Sequence, residues 1–282
     1  VVELVTAARE PLHVDTVRAF LGCSENARKR AVARLSRFFP IRDRRLHVYH
    51  KSVRDWLTRE GRRDCVLFVD DKKVQRVMAQ GCMAALRRAD VGCREEEKSS
   101  CVTEEDAPAT MDYVLQHGIS HLVAAGRRKE ARALVVENIA WLMARSADGL
   151  GVMEDCRRLV AAAGESGDRV VDLVRRALDL SMSDLRKDPR RLPGQLVGRL
   201  MGSGAGGSTD ADGGGASSTS EIRRFLKRLK EYQGYGFAWW CPVSRTLEQA
   251  GGACLRKITG HTSLVRSVSF SGDGSRIVSG SE

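Results

Sequence analysis

Apolar positions along the chain recur at two spacings. Up to about residue 232 they fall three and four apart, the helical period. Over Gly260–Ser281 they alternate with serines, as in a half-buried strand. The helical part starts with Val1 to Ala8, broken at Glu10-Pro11-Leu12. Val14, Val17 and Leu21 then mark a second helix, with Gly22 where a C-terminal cap belongs. Ser24 is placed to cap a third, with Ala27, Ala31 and Leu35 on its inner face, ending at Pro40. Residues 39–49, apolar at both ends and charged from Arg42 to Arg45, suggest a short β-hairpin. Ser52 to Thr58 predicts a helix around Val53, Trp56 and Leu57.

Further along, Val74 to Leu86 predicts a helix with Val77, Met78, Cys82 and Leu86 on one face, followed by a polar loop from Arg94 to Asp106. Four apolar stripes succeed it. They run from Met111 to Val123, from Ala131 to Leu142, from Val152 to Val160, and from Val170 to Leu185. Short connections imply antiparallel neighbours, and each pair leaves an apolar face for the next to cover. A short helix carries Leu192, Leu196 and Leu200. Residues 202–220 are nearly all Gly, Ser, Ala and Thr and suggest a flexible linker. Ile222, Phe225, Leu226 and Leu229 make the apolar side of a basic helix, with Phe237, Trp239 and Trp240 packing after it. Leu255 to Ile258 has the character of a strand.

The expected fold is mainly α. Its units are a helix–helix–hairpin–helix domain at 1–64, an antiparallel helical array at 65–201, a linker at 202–220, a connector helix at 221–250 and a β unit at 251–282. The first of these has the order of a winged helix.

Length, at 282 residues, suits about two domains. A start at Val1 and a stop at Glu282 within a motif suggest part of a longer protein. No apolar run reaches the ~18–20 residues of a membrane span. The eight cysteines form no C-x-x-C pair, so neither a zinc knuckle nor a redox pair is indicated. Reduced, buried thiols in a cytoplasmic protein are expected. A net charge of +11 permits an acidic partner without defining a site.

Charge does raise nucleic acid as an alternative. Arg30, Arg34 and Arg37 share a face of the helix a winged-helix protein would lay in a major groove, as phosphate contacts. That face is equally a solvated one, and none of the three positions is an Asn or Gln to read adenine, although arginine could read guanine. Two further stretches imitate nucleotide chemistry. Cys65 to Asp71 is apolar and ends in two aspartates, like a strand that places a carboxylate near magnesium, but no phosphate loop precedes it. Gly202 to Gly207 has phosphate-loop spacing, but Ser208 stands where the lysine must be. No catalytic residue, cofactor site or metal site is assigned.

Two resemblances give these units an expected role. Gly260-His261, the alternation through Phe270, the Asp273-Gly274 turn and a second strand reaching Ser279 resemble the opening of a WD-repeat propeller blade. That resemblance implies that His261 and Ser279 belong to a structural hydrogen-bond network. The blade would be the first of a propeller, cut off by the end of the sequence.

Glu10-Pro11-Leu12, the helix pair and the run from Tyr49 to Leu57 resemble the winged helix after the nucleotide-binding module of NACHT/NB-ARC signalling ATPases, the STAND family. Residues 110–200 resemble the helical connector of their WD-repeat members. His50, Ser52 and Trp56 would then be structural, at the wing–helix junction. The resemblance implies a non-catalytic connector, with ATP or ADP bound by a module upstream. It also implies a protein ligand on the propeller, an intramolecular contact with the nucleotide module and homo-oligomerisation on activation.

Overall fold

The computed structural model describes residues 1–22, 24–35, 38–59, 68–91, 107–146, 151–164, 167–202, 215–254 and 260–282. The described chain is mainly helical with two small antiparallel sheets.

Helix α1 (Val2–Ala7) buries Leu4 and Val5 and gives way at the Pro11 break to strand β1 (Leu12–His13). Helix α2 (Val14–Leu21) ends on Gly22, whose φ of 59° is the left-handed cap conformation. Ser24 Oγ accepts from Ala27 N–H at 3.4 Å and starts α3 (Glu25–Leu35). Strands β2 (Ile41–Arg42) and β3 (Arg45–Leu46) follow, joined by Asp43 and Arg44, both at positive φ. Positive φ at both central residues matches the right-handed twist of a two-residue hairpin. The conformation is costly for an arginine. Its guanidinium is held at 2.8 Å by the buried carboxylate of Asp15.

The hairpin is much shorter than the expected 39–49, and β3 pairs with both neighbours, giving the order β1-β3-β2. A two-residue strand such as β1 is too short for alternation to reveal. Helix α4 (Lys51–Leu57) buries Leu57, while Trp56, expected inside, is 39% exposed. At 100° per residue Trp56 falls on the flank of the face shared by Val53 and Leu57.

The array begins with α5 (Asp71–Val91), longer than expected at both ends because Arg87, Arg88 and Ala89 are good helix formers. Asp70, in the stretch resembling a magnesium-binding strand, caps it by accepting from Lys73 N–H at 3.3 Å. Asp71 accepts from the Gln75 side chain at 3.2 Å. Cys65 to Leu67 and the expected loop at 94–106 lie outside the described residues.

Helix α6 (Ala107–Ala124) packs along α5, and α1 and α2 dock on α5 as well. The expected single stripe from Ala131 to Leu142 is two helices, α7 (Arg128–Val136) and α8 (Ile139–Arg145). Asn138 divides them, because its side chain accepts from Trp141 N–H at 2.8 Å and begins a new helix. Helix α9 (Gly151–Ala163) packs on α6 and α7. Helix α10 (Arg169–Leu185), capped by Asp168, packs on α9. A 3-10 turn at Pro189–Arg191 leads to α11 (Leu192–Leu200).

Helix α12 begins at Gly215, six residues before the expected start at Glu221. No Gly or Pro interrupts Ala216 to Glu231, so the helix extends back through the serines at one hydrogen bond per residue. Residues 203–214 lie outside the described residues. Ile222, Phe225 and Leu229 are fully covered, and α12 packs on α10 and α11. The apolar side of α12 is thus used within the array. The last elements are β4 (Val265–Phe270) and β5 (Ile277–Ser281), paired antiparallel. The expected strand at 255–258 lies outside the described residues.

Candidate functional site

Register decides what the β4–β5 hairpin presents. Phe270 faces Ile277 and Val268 faces Ser279, so these four share one side, with Ser269, Val278 and Gly280 on the other. Both sides face solvent. Val268 is 60% and Phe270 67% exposed, unlike the half-buried strand that alternation implies. A two-stranded sheet with both faces bare is marginal alone.

The turn is held by Asp273. Its carboxylate accepts from the Ser271 hydroxyl at 2.5 Å, the Ser275 hydroxyl at 2.7 Å and Ser275 N–H at 3.1 Å, and Gly274 follows at φ 68°. These bonds pull the carboxyl down from 3.8 to about 2. At the opposite end His261 Nε2 lies 2.7 Å from Ser279 Oγ. An ion pair joins Arg266 to Glu282 at 2.9 Å.

Between α12 and this hairpin, residues 237–250 lie as a strap across α11. A Cβ on Gly194 would meet Trp240 O at 2.8 Å, so the backbone of the strap requires glycine there, and one on Gly198 would meet the tip of the Leu247 side chain at 2.8 Å and push it aside. The strap also caps the helix. Gln249 Nε2 donates to Gly198 O at 2.9 Å, and Ala250 N–H to Arg199 O at 2.9 Å. Gln249 Oε1 accepts from Gly202 N–H at 2.7 Å. The first two satisfy carbonyls a helix end leaves open. Arg199, 6% exposed, donates to Ser181 Oγ at 2.8 Å, Gln195 Oε1 at 3.1 Å and Glu248 O at 3.2 Å. Burial lowers its pKa, yet an arginine stays charged. Sequence reasoning missed this joint. Its one signal is the spacing Gly194, Gly198, Gly202 on a single helical face.

A second network joins the N-terminal unit to the array. Arg9 N–H donates to the Tyr113 hydroxyl at 3.3 Å, which lies 2.8 Å from His121 Nε2. His121 Nδ1 lies 2.7 Å from Gln75 Oε1. Burial drops the His121 pKa to about 3, so the ring is neutral. Its Nδ1–H must donate to the Gln75 oxygen, leaving Nε2 to accept from Tyr113. Tyr113 itself is pushed up by burial and keeps its proton. Thr16 and Thr110 hydroxyls meet at 3.3 Å beside it. Tyr113, His117 and His121, four apart on α6, were the legible sign. Deeper in the array Arg145 and Asp155 pair at 2.8 Å, both nearly inaccessible to solvent.

The remaining expected residues are scattered. His50 Nδ1 caps α4, accepting from Ser52 N–H at 3.2 Å and lying 2.9 Å from Ser52 Oγ. Arg30 is exposed and donates to Asn26 O at 3.3 Å. Arg34 lies in α3, and Arg37 is outside the described residues. Exposure alone supplies no base-reading chemistry. Cys82 and Cys156 are buried free thiols. Burial pushes Cys82 up to about 12 and raises Cys156 as well, which leaves both unreactive. Among the described residues no group of side chains could hold a metal ion, and no helix is long and apolar enough to cross a membrane.

Comparison with curated proteins and with solved structures returned no match. Residues 252–282 match the family model "WD40: WD domain, G-beta repeat". The C-terminal hairpin is therefore a WD repeat, and the chain carries a protein-interaction element next to its helical array.

Proposed function

We propose that this chain is the non-catalytic connector of a STAND-type regulatory ATPase, coupling ligand sensing by a WD-repeat propeller to a nucleotide-binding module. The observation that carries the reading is mechanical continuity. The residues just before the WD repeat cap α11, α11 packs on α10, and packing continues through α9 and α6 to the N-terminal unit. That unit has the order helix, strand, helix, helix, strand, strand with sheet order β1-β3-β2, which supports reading it as a winged helix. The partners of this reading are a protein ligand on the propeller, the nucleotide module, and further copies on activation. ATP or ADP belongs to that module. Buried free thiols at Cys82 and Cys156 fit a cytoplasmic setting.

Hydrogen–deuterium exchange on the chain carrying Gln249→Ala tests the coupling. Faster exchange is expected in α11 and onward into α10 and α6. A change confined to residues 237–254 would overturn the reading. Calorimetric titration with Mg·ATP and Mg·ADP should show no heat of binding, and saturable binding would make this chain itself the nucleotide module.

A further inference from the structure

Where the strap passes the 3-10 turn it leaves a cleft of about 580 Å³, with Arg190, Arg191, Gln195, Phe237 and Trp240 among its walls. Trp240 is 95% exposed beside it, while its neighbour Trp239 packs inward. Trp240 O lies against Gly194, where a Cβ would meet it at 2.8 Å, so the glycine lets the strap carry Trp240 close over α11. Val243, on the same strap, is 94% exposed. A large aromatic held outward next to a concavity and flanked by arginines has the composition of an interface hot spot.

The rim supplies the partner's charge. Four of the six residues 186–191 are cations (Arg186, Lys187, Arg190, Arg191), all exposed, against the single acid Asp188. Arg190 is aligned by Asp188, at 3.0 Å from its Nε, and stays 69% exposed. Arg191 reaches Asp184 only at 4.0 Å. Exposed ion pairs of this kind are weak, so an incoming carboxylate can replace them, and a guanidinium suits bidentate contact.

We propose that this cleft binds an acidic protein segment, taking one aromatic or large apolar side chain against Trp240 while its carboxylates meet Arg190 and Arg191. The inference is in keeping with the protein-interaction reading but uses a surface apart from the WD hairpin. Its failure would leave the exchange coupling across Gln249 untouched.

The test is fluorescence anisotropy on the full chain with a labelled pentapeptide, a Phe flanked on each side by two Glu. Saturable binding is expected, weakened at least tenfold by Trp240→Ala and by the double change Arg190→Ser with Arg191→Ser, and falling with added salt. Replacing the peptide's Phe by Ala should weaken it similarly. Trp56→Ala, at another exposed tryptophan, should leave binding unchanged. These side chains face solvent, so circular dichroism should match the parent. Absence of saturation at millimolar peptide would overturn the proposal, as would binding indifferent to Trp240→Ala. Tighter binding of oligothymidine through the same residues would assign the cleft to single-stranded nucleic acid instead. Self-association lost in Trp240→Ala would assign it to a second copy.

Discussion

Phe225 on α12 and Phe270 on β4 are the same side chain under opposite conditions. The first is fully buried beneath α10 and α11, and the second is 67% exposed on a two-stranded sheet. Each was legible as an inward-facing position, one from helical and one from alternating spacing. The difference lies in what each element must meet. The helices cover one another in sequence, so their stripes find partners within the array. A strand pair turns out two faces, and nothing in the described chain covers either. Phe225→Ala should therefore cost about 3–5 kcal/mol, the range for emptying a packed aromatic site. Phe270→Ala should stay within about 0.5 kcal/mol, as for a surface change. Urea denaturation of the two variants reads this directly. Equal losses would mean that the hairpin face is covered after all.

Acid should attack the array next. His121 titrates at 6.5 when free and at about 3 in the fold, because burial disfavours its charged form. Below 6.5 the unfolded chain takes up a proton that the folded chain refuses. Stability is thus whole above 6.5 and declines as pH falls toward 3, with a limiting slope of about 1.4 kcal/mol per pH unit. His117 is lowered too, chiefly by burial and against the pull of Glu10, and acts in the same direction. His121→Gln should lower stability at pH 7 but flatten the acid limb of a denaturation-versus-pH curve. An unchanged slope would show that His121 is not the buried base.

How far the sequence led depended on the length of each signal. The stripes of α9 and α10 span three turns or more, and the helices Gly151–Ala163 and Arg169–Leu185 cover the expected stripes at 152–160 and 170–185. The α7–α8 break escaped because Asn138 interrupts the helix without disturbing the apolar spacing around it. Strand β1 escaped because two residues carry no periodicity. The WD repeat was legible because His261, the Asp273-Gly274 turn and Ser279 lie close together in sequence. The strap joint was not, because Gln249 and Gly198 lie far apart in sequence and a glutamine carries no hint of its acceptor. Trp56 and Trp240 were both expected to pack, since residue type signals hydrophobicity but not which flank of an element is covered.

The smallest expected effect separates the two regions by cause. Asp273 and His121 both have lowered pKa values, so protonation opposes folding at each. At His121 the cause is exclusion of water. At Asp273 it is three hydrogen bonds made at a fully exposed carboxylate. The Asp273 contribution is present above 3.8 and is lost as pH falls through about 2, so it is untouched from 6.5 down to 3.8, where His121 already weakens the array. Carbon-13 NMR of the side-chain carboxyl should give a midpoint of about 2. Ser271→Ala combined with Ser275→Ala should return it toward 3.8 with no shift in the denaturation midpoint of the array. A wild-type midpoint near 3.8 would mean that the turn does not hold in solution. The hairpin would then owe even its local order to whatever covers its faces.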